Sequence, residues 1–262
     1  MGLSKLLEEP PFLSFKELKN AGVRRVIYTP AAERLYWEFD GVFPTSTAIS
    51  VMKNEKGAKD DLEPFFNPDT GTWHEISQLP LTEPKTSSFE VSVFDLEGRR
   101  WERDWDEWHK YHQDSQRYES TEDSGAEVLI KCCGEDRPFR KPLPVDVKLV
   151  VTAGSEGFIT VRDFVSAVHP WLMSLRGDLF KAKDVSRERP YYGSSPEQDK
   201  WMVGLPINGH CSQPLEIEEK REWVRRHSPY ERRPGDPPMK PALRAHLERK
   251  RAMREAGLDT TW

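Results

Sequence analysis

Between residues 160 and 175 the apolar positions Val161, Phe164, Val165, Val168, Leu172 and Leu175 recur at helical spacing, which predicts one buried helical stripe. Thr160 is placed to cap that helix, with Asp163 three residues on, where an acid complements the helix dipole. Pro170 predicts an end or a kink near His169, because proline lacks the amide hydrogen and crowds the preceding turn. Just upstream, EVLIKCC at 127–133 and the β-branched VDVKLVVTA at 145–153 read as strands.

The same reading extends to both sides. SFKELKNAG pairs Ser14 with Glu17 as a capping box and puts Gly22 where a helix ends. Residues 23–29, 34–41, 88–98 and 200–207 read as short strands closed by turn residues. RRWERDWDEWHKYH sets Trp101, Trp105, Trp108 and His112 along one side of a helix. Residues 53–84 read mostly as loop, and NPDTG as a turn without the alternating oxygens of a calcium loop. EIEEKREWVRRH and KPALRAHLERKRAMREAG are helix-prone. The expected fold is α+β, with short, mostly antiparallel strands packed by two or three helices and a helical C-terminal extension. The expected organisation is an arm at 1–22, the α+β domain at 23–210, and a charged helical tail at 211–262.

Composition refines this. With 36% hydrophobic and 32% charged residues, 21 prolines and 16 glycines, long loops surround a modest core. Nine tryptophans and twelve phenylalanines argue against disorder. No apolar run approaches the roughly 20 residues of a membrane span, and the N-terminus lacks the apolar region of a signal peptide. Its Met-Gly start matches a myristoylation signal only in part, since Leu6 stands where Ser or Thr belongs. Three cysteines, two of them adjacent, give no disulfide framework, so reduced thiols and a cytoplasmic or nuclear setting are expected. The net charge of -5 is uneven. Residues 95–123 hold ten acids against five bases, and residues 216–257 hold twelve bases against eight acids.

Phosphate-binding glycine motifs and the GxSxG elbow are absent from the sequence. His109 and His112, three apart on the predicted helix, are the metal-site alternative, and the bland reading puts His112 at the core boundary and His109 in water. Cys132, Cys133 and the adjacent His210 and Cys211 are nucleophile candidates, with one of the paired cysteines expected to point inward. Trp101, Trp105 and Trp108 are candidates for binding as well as for core anchoring. Arg244, Arg249 and Arg251 are the candidates for a polyanion at the tail.

One block carries a resemblance. LPVDVKLVVTAGSEGFITVRDFVSAVHPWLMSL, at 143–175, resembles the centre of a family of uncharacterised fungal domains, through Pro144, Leu149, Ile159, Thr160, Val161, Asp163, Ala167, Val168, His169 and Leu172. YWEFDG at 36–41 and WMVGL at 201–205 echo two further elements of that family. The resemblance implies a small α+β fold and a fungal origin, and it carries no catalytic assignment. The leading expectation is a non-enzymatic protein-interaction module whose partner is another protein, with no cofactor and no membrane. The first alternative is a metal-dependent or cofactor-free enzyme with a histidine-containing pocket, drawing on His109, His112, Asp163 and His169. The second is weak polyanion binding, nucleic acid included, through the basic tail.

Overall fold

The computed structural model describes residues 10–45, 48–112, 115–120, 127–139, 147–186, 200–206, 209–229 and 249. The chain forms two compact units, Met1–Ser228 and Pro229–Trp262. In the second, only Pro229 and Arg249 are described, and both are exposed. Arg244, Arg251 and, apart from Arg249, the rest of the helix expected over KPALRAHLERKRAMREAG lie outside the described residues. No helix among the described residues is long and apolar enough to cross a membrane.

The first unit opens with α1, Phe15–Asn20. The Ser14 amide donates to Glu17 Oε2 at 2.8 Å while the Glu17 amide donates to Ser14 Oγ at 3.3 Å, completing the capping box. Gly22, at φ 84°, lets the Val23 amide fold back onto the Leu18 carbonyl at 3.0 Å. Leu18 lies in the core, so the described part of the expected N-terminal arm, residues 10–22, packs on the body.

Short strands follow in chain order: β1 Ile27–Tyr28, β2 Leu35–Trp37, β3 Ile49–Val51, β4 Glu63–Pro64, β5 Phe66–Asn67, β6 Thr72–Trp73, β7 Thr82–Glu83 and β8 Ser88–Ser92. Next come α2, Arg100–His109, then β9 Arg117–Ser120, β10 Glu127–Cys132, β11 Glu135–Asp136 and β12 Lys148–Thr152. Helices α3, Val161–Ser174, and α4, Arg176–Ser186, lead to β13 Trp201–Gly204, β14 Glu216–Glu219 and α5 Lys220–Arg226. The strands form small antiparallel sheets: β1–β7, β2–β3–β4, β5–β6, β8–β12, β9–β10–β11 and β13–β14. The α+β class read from the sequence is the class observed. The segment expected to be loop, 53–84, nevertheless carries four two-residue strands anchored by buried Phe65, Ile76 and Leu81. Such strands are too short for a period-two pattern to be visible.

The core centres on α3, whose Phe164 ring meets Phe89 of β8 at 6.0 Å, Trp37 of β2 at 5.9 Å and Tyr28 of β1 at 6.1 Å. The helix runs on past Pro170 to Ser174 instead of ending near His169. Pro170 and Ser166, whose carbonyl loses its helical partner, are both exposed, so the break lies on the solvent side of the helix, where it costs least.

Residues 211–228, expected to open the tail, belong to the first unit. Cys211, Leu215 and Ile217 are core residues, β14 pairs with β13, and Leu215 bridges Val93. Leu215 and Ile217 lie two apart, a strand signal hidden inside a charge pattern that reads as helix.

Candidate functional site

Helix α2 buries Trp101, Trp105 and His109 along one stripe and leaves Trp108 on the other side. Over that helix lies the β10–β11 hairpin. Its two-residue turn is Cys133–Gly134, with φ 53° and 85°, so both turn residues adopt the positive φ of a type I′ turn.

Arg137, just after β11, fastens the hairpin to the helix. Its Nη2 donates to Glu102 Oε1 at 2.7 Å, and its Nη1 donates to Asp106 Oδ1 at 2.8 Å and to the Leu129 carbonyl at 3.3 Å. The residue is 5% exposed, and its guanidinium lies 5.2 Å from the Trp101 ring. A buried cation held by two carboxylates and a carbonyl fixes the hairpin's orientation, because moving it strands a desolvated charge.

That clamp places three groups together beyond the end of α2. Cys133 Sγ lies 3.0 Å from His112 Nδ1, and Cys132 Sγ lies 3.6 Å from Cys133 Sγ. In a regular strand successive side chains diverge to opposite faces. The left-handed backbone at Cys133 turns its thiol back beside that of Cys132. The Cys133 amide donates to Ser115 Oγ at 2.9 Å, tying the turn to the segment after His112. Cys132 is fully buried, as expected for one of the pair, and Cys133 is exposed. Burial, together with the Cys133 thiol, holds the Cys132 thiol above its ordinary pKa.

The two histidines are reversed from the bland expectation. His109 is 3% exposed, its ring tilted at 43° to the Trp105 ring with centroids 3.9 Å apart and its Nδ1–H donating to the Trp105 carbonyl at 3.0 Å, whereas His112 faces solvent. The helix ends at His109, so the Trp101-based register no longer governs His112. The His109 Nε2 lies 3.9 Å from Glu135 Oε2, and the two imidazoles are 6.0 Å apart.

Beside this cluster a cavity of about 240 Å³ opens between α2, the hairpin and the end of α4. Its lining includes Trp105, Trp108, His109 and Pro138 and three carboxylates, Glu135, Asp136 and Asp184. Every exposed Trp or Tyr among the described residues lies in this region of the chain: Trp108 at 48%, Tyr111 at 77% and Tyr118 at 48%.

The other candidates have structural contacts. Asp163 accepts hydrogen bonds from the Thr160 amide at 3.0 Å, the Thr160 hydroxyl at 2.8 Å and the Gly154 amide at 3.4 Å. His169 accepts from Trp37 Nε1–H at 2.9 Å and lies 3.2 Å from the Gly41 carbonyl. His74 caps the 3-10 turn at 75–78, and His210 contacts Ser212 and the Arg24 carbonyl. Cys211 is buried, which pushes its thiol up to about 12.

No family model, no curated protein and no solved structure matches the chain. The hairpin–helix unit was only half legible beforehand. The tryptophan stripe and the two cysteines stood out, but their meeting depends on CCG forming a tight turn. The signal available was a Cys-Gly step between EVLIK and the acids Glu135 and Asp136. Glu135, Asp136 and Asp184 had no sequence signal at all, being ordinary acids until the fold gathers them.

Proposed function

We propose that the first unit is a non-enzymatic protein-interaction module that receives a basic side chain of a partner protein in the Trp105–Trp108 cavity. The observation that carries this reading is the pairing of two indoles with three carboxylates in one small cavity. Indole faces attract cations through their quadrupole, and carboxylates add charge complementarity. A cavity of about 240 Å³ suits one side chain better than a cofactor, since small-molecule sites usually run from about 300 to 1,000 Å³. Exposed Tyr111 and Tyr118 supply the amphipathic aromatics that contribute most at protein interfaces. The excess of acids in 95–123 disfavours a polyanion at this face and favours a basic-rimmed protein surface. A cytoplasmic or nuclear setting, where the thiols stay reduced, belongs to the same proposal.

The direct test is selection of a displayed peptide library against the full chain. Binders enriched in Lys or Arg, and weakened by Trp108→Ala and Asp136→Asn, support the reading. Binders without a basic residue, or binders indifferent to both substitutions, contradict it.

A further inference from the structure

We propose that His112, Cys132 and Cys133 form a binding site for a thiophilic divalent cation of the Zn²⁺ class. The three donor atoms lie within 4.8 Å of one another. With zinc–sulfur bonds of about 2.3 Å and zinc–nitrogen bonds of about 2.0–2.1 Å, a tetrahedral ion spaces its sulfurs roughly 3.8 Å apart, and sulfur from nitrogen roughly 3.6 Å. The two thiols already stand 3.6 Å apart, so that edge needs almost no change. The Cys133–His112 edge, at 3.0 Å, has to open by about half an ångström. His112 is exposed and follows the end of α2, so its ring is not held inside the core.

The backbone gives independent support. Cys133 is the one non-glycine with positive φ among the described residues, in a turn position that Asn, Asp or Gly fills with less strain. The same backbone is what turns the second thiol toward the first. Two thiolates and an imidazole select Zn²⁺ or similar ions over Mg²⁺ and Ca²⁺, which take oxygen ligands. Three protein donors leave a fourth position for water or an incoming group. Binding converts both thiols to thiolates and releases their protons, so affinity falls as pH falls. The bound ion ties the hairpin to the segment after α2. This site borders the cation cavity but uses other side chains, and it does not depend on that reading.

The experiment is titration of the reduced full chain with Co²⁺, followed by competition with Zn²⁺. A thiolate-to-cobalt charge-transfer band that saturates at one equivalent and is displaced by Zn²⁺ is expected. Cys133→Ser, at an exposed position, is expected to weaken Co²⁺ binding at least about 10- to 100-fold, the loss usual even for a supporting partner of a metal ligand. His112→Ala is expected to keep a weaker thiolate band, and Cys211→Ser an unchanged one. Absence of a band in the folded, reduced wild type overturns the proposal. So does a band of equal strength in Cys133→Ser, since Cys133 folds to the surface and its loss leaves the core intact.

Discussion

The indole N–H of Trp37 donates to Nδ1 of His169 at 2.9 Å, joining β2 to α3 across 132 positions of sequence. Since Nδ1 accepts, the imidazole is neutral and its Nε2–H points to the Gly41 carbonyl. Burial holds its pKa below the ordinary 6.5, against the opposing pull of the Gly41 carbonyl and Asp40. Protonation would set two donors against each other, so it favours the unfolded chain. The stabilisation is complete above the unfolded value near 6.5 and is lost as pH falls through the lowered folded one. His227, lowered by burial in the same way, adds to the effect. Unfolding midpoints measured from about pH 7 to about pH 5 are expected to fall more steeply in the wild type than in His169→Gln. Parallel slopes would exclude His169 as the acid-sensitive group.

The tryptophans of α2 are expected to divide sharply. Trp101→Ala and Trp105→Ala remove buried rings and should cost about 3–5 kcal/mol each. Trp108→Ala should change stability by no more than about 0.5 kcal/mol. Denaturant midpoints of the three variants check this, and a large loss in Trp108→Ala would mean that residue is structural.

The Arg137 clamp carries unequal halves. Glu102 is 26% exposed on its side chain and Asp106 is 55% exposed. Glu102→Gln is therefore expected to cost about 1.5–3 kcal/mol, the range for hydrogen bonds to charged groups. Asp106→Asn should cost less than about 1 kcal/mol, as solvent screens that partner. The reverse order in chemical denaturation would show that the second carboxylate holds the guanidinium.

The strain at Cys133 is measurable apart from any metal. In chelator, Cys133→Gly is expected to hold or raise the melting temperature, the relief being up to about 1 kcal/mol. Cys133→Val should lower it, because a β-branched residue tolerates positive φ poorly. Destabilisation of equal size in both variants would contradict a strained turn.

The legible parts of this fold were those in which one short stretch carried its whole signal. Thr160 and Asp163 announced the start of α3, and its apolar stripe ran as read, because cap and stripe lie within one helix. Ser14, Glu17 and Gly22 did the same for α1. Pro170 misled because its cost depends on which side faces water, which a linear pattern does not carry. The candidate site was harder. Trp105 and His109 belong to one helix, but Glu135 and Asp184 reach the same cavity from other elements. The meeting of His112 with Cys133 rests on a two-residue turn and on Arg137, whose two carboxylate partners lie more than thirty positions away.

The most direct measurement is site-specific photo-cross-linking in cells that make the protein, with a photoreactive amino acid placed at Tyr111, Tyr118 or Val150. Tyr111 and Tyr118 are exposed in the stretch of chain that follows Trp108, while Val150 is 60% exposed on β12. A discrete adduct with another protein is expected from positions 111 and 118, lost when Trp108→Ala is added, with none from position 150. Adducts from position 150 alone, or adducts from 111 and 118 that survive Trp108→Ala, would contradict a partner held at the Trp105–Trp108 cavity.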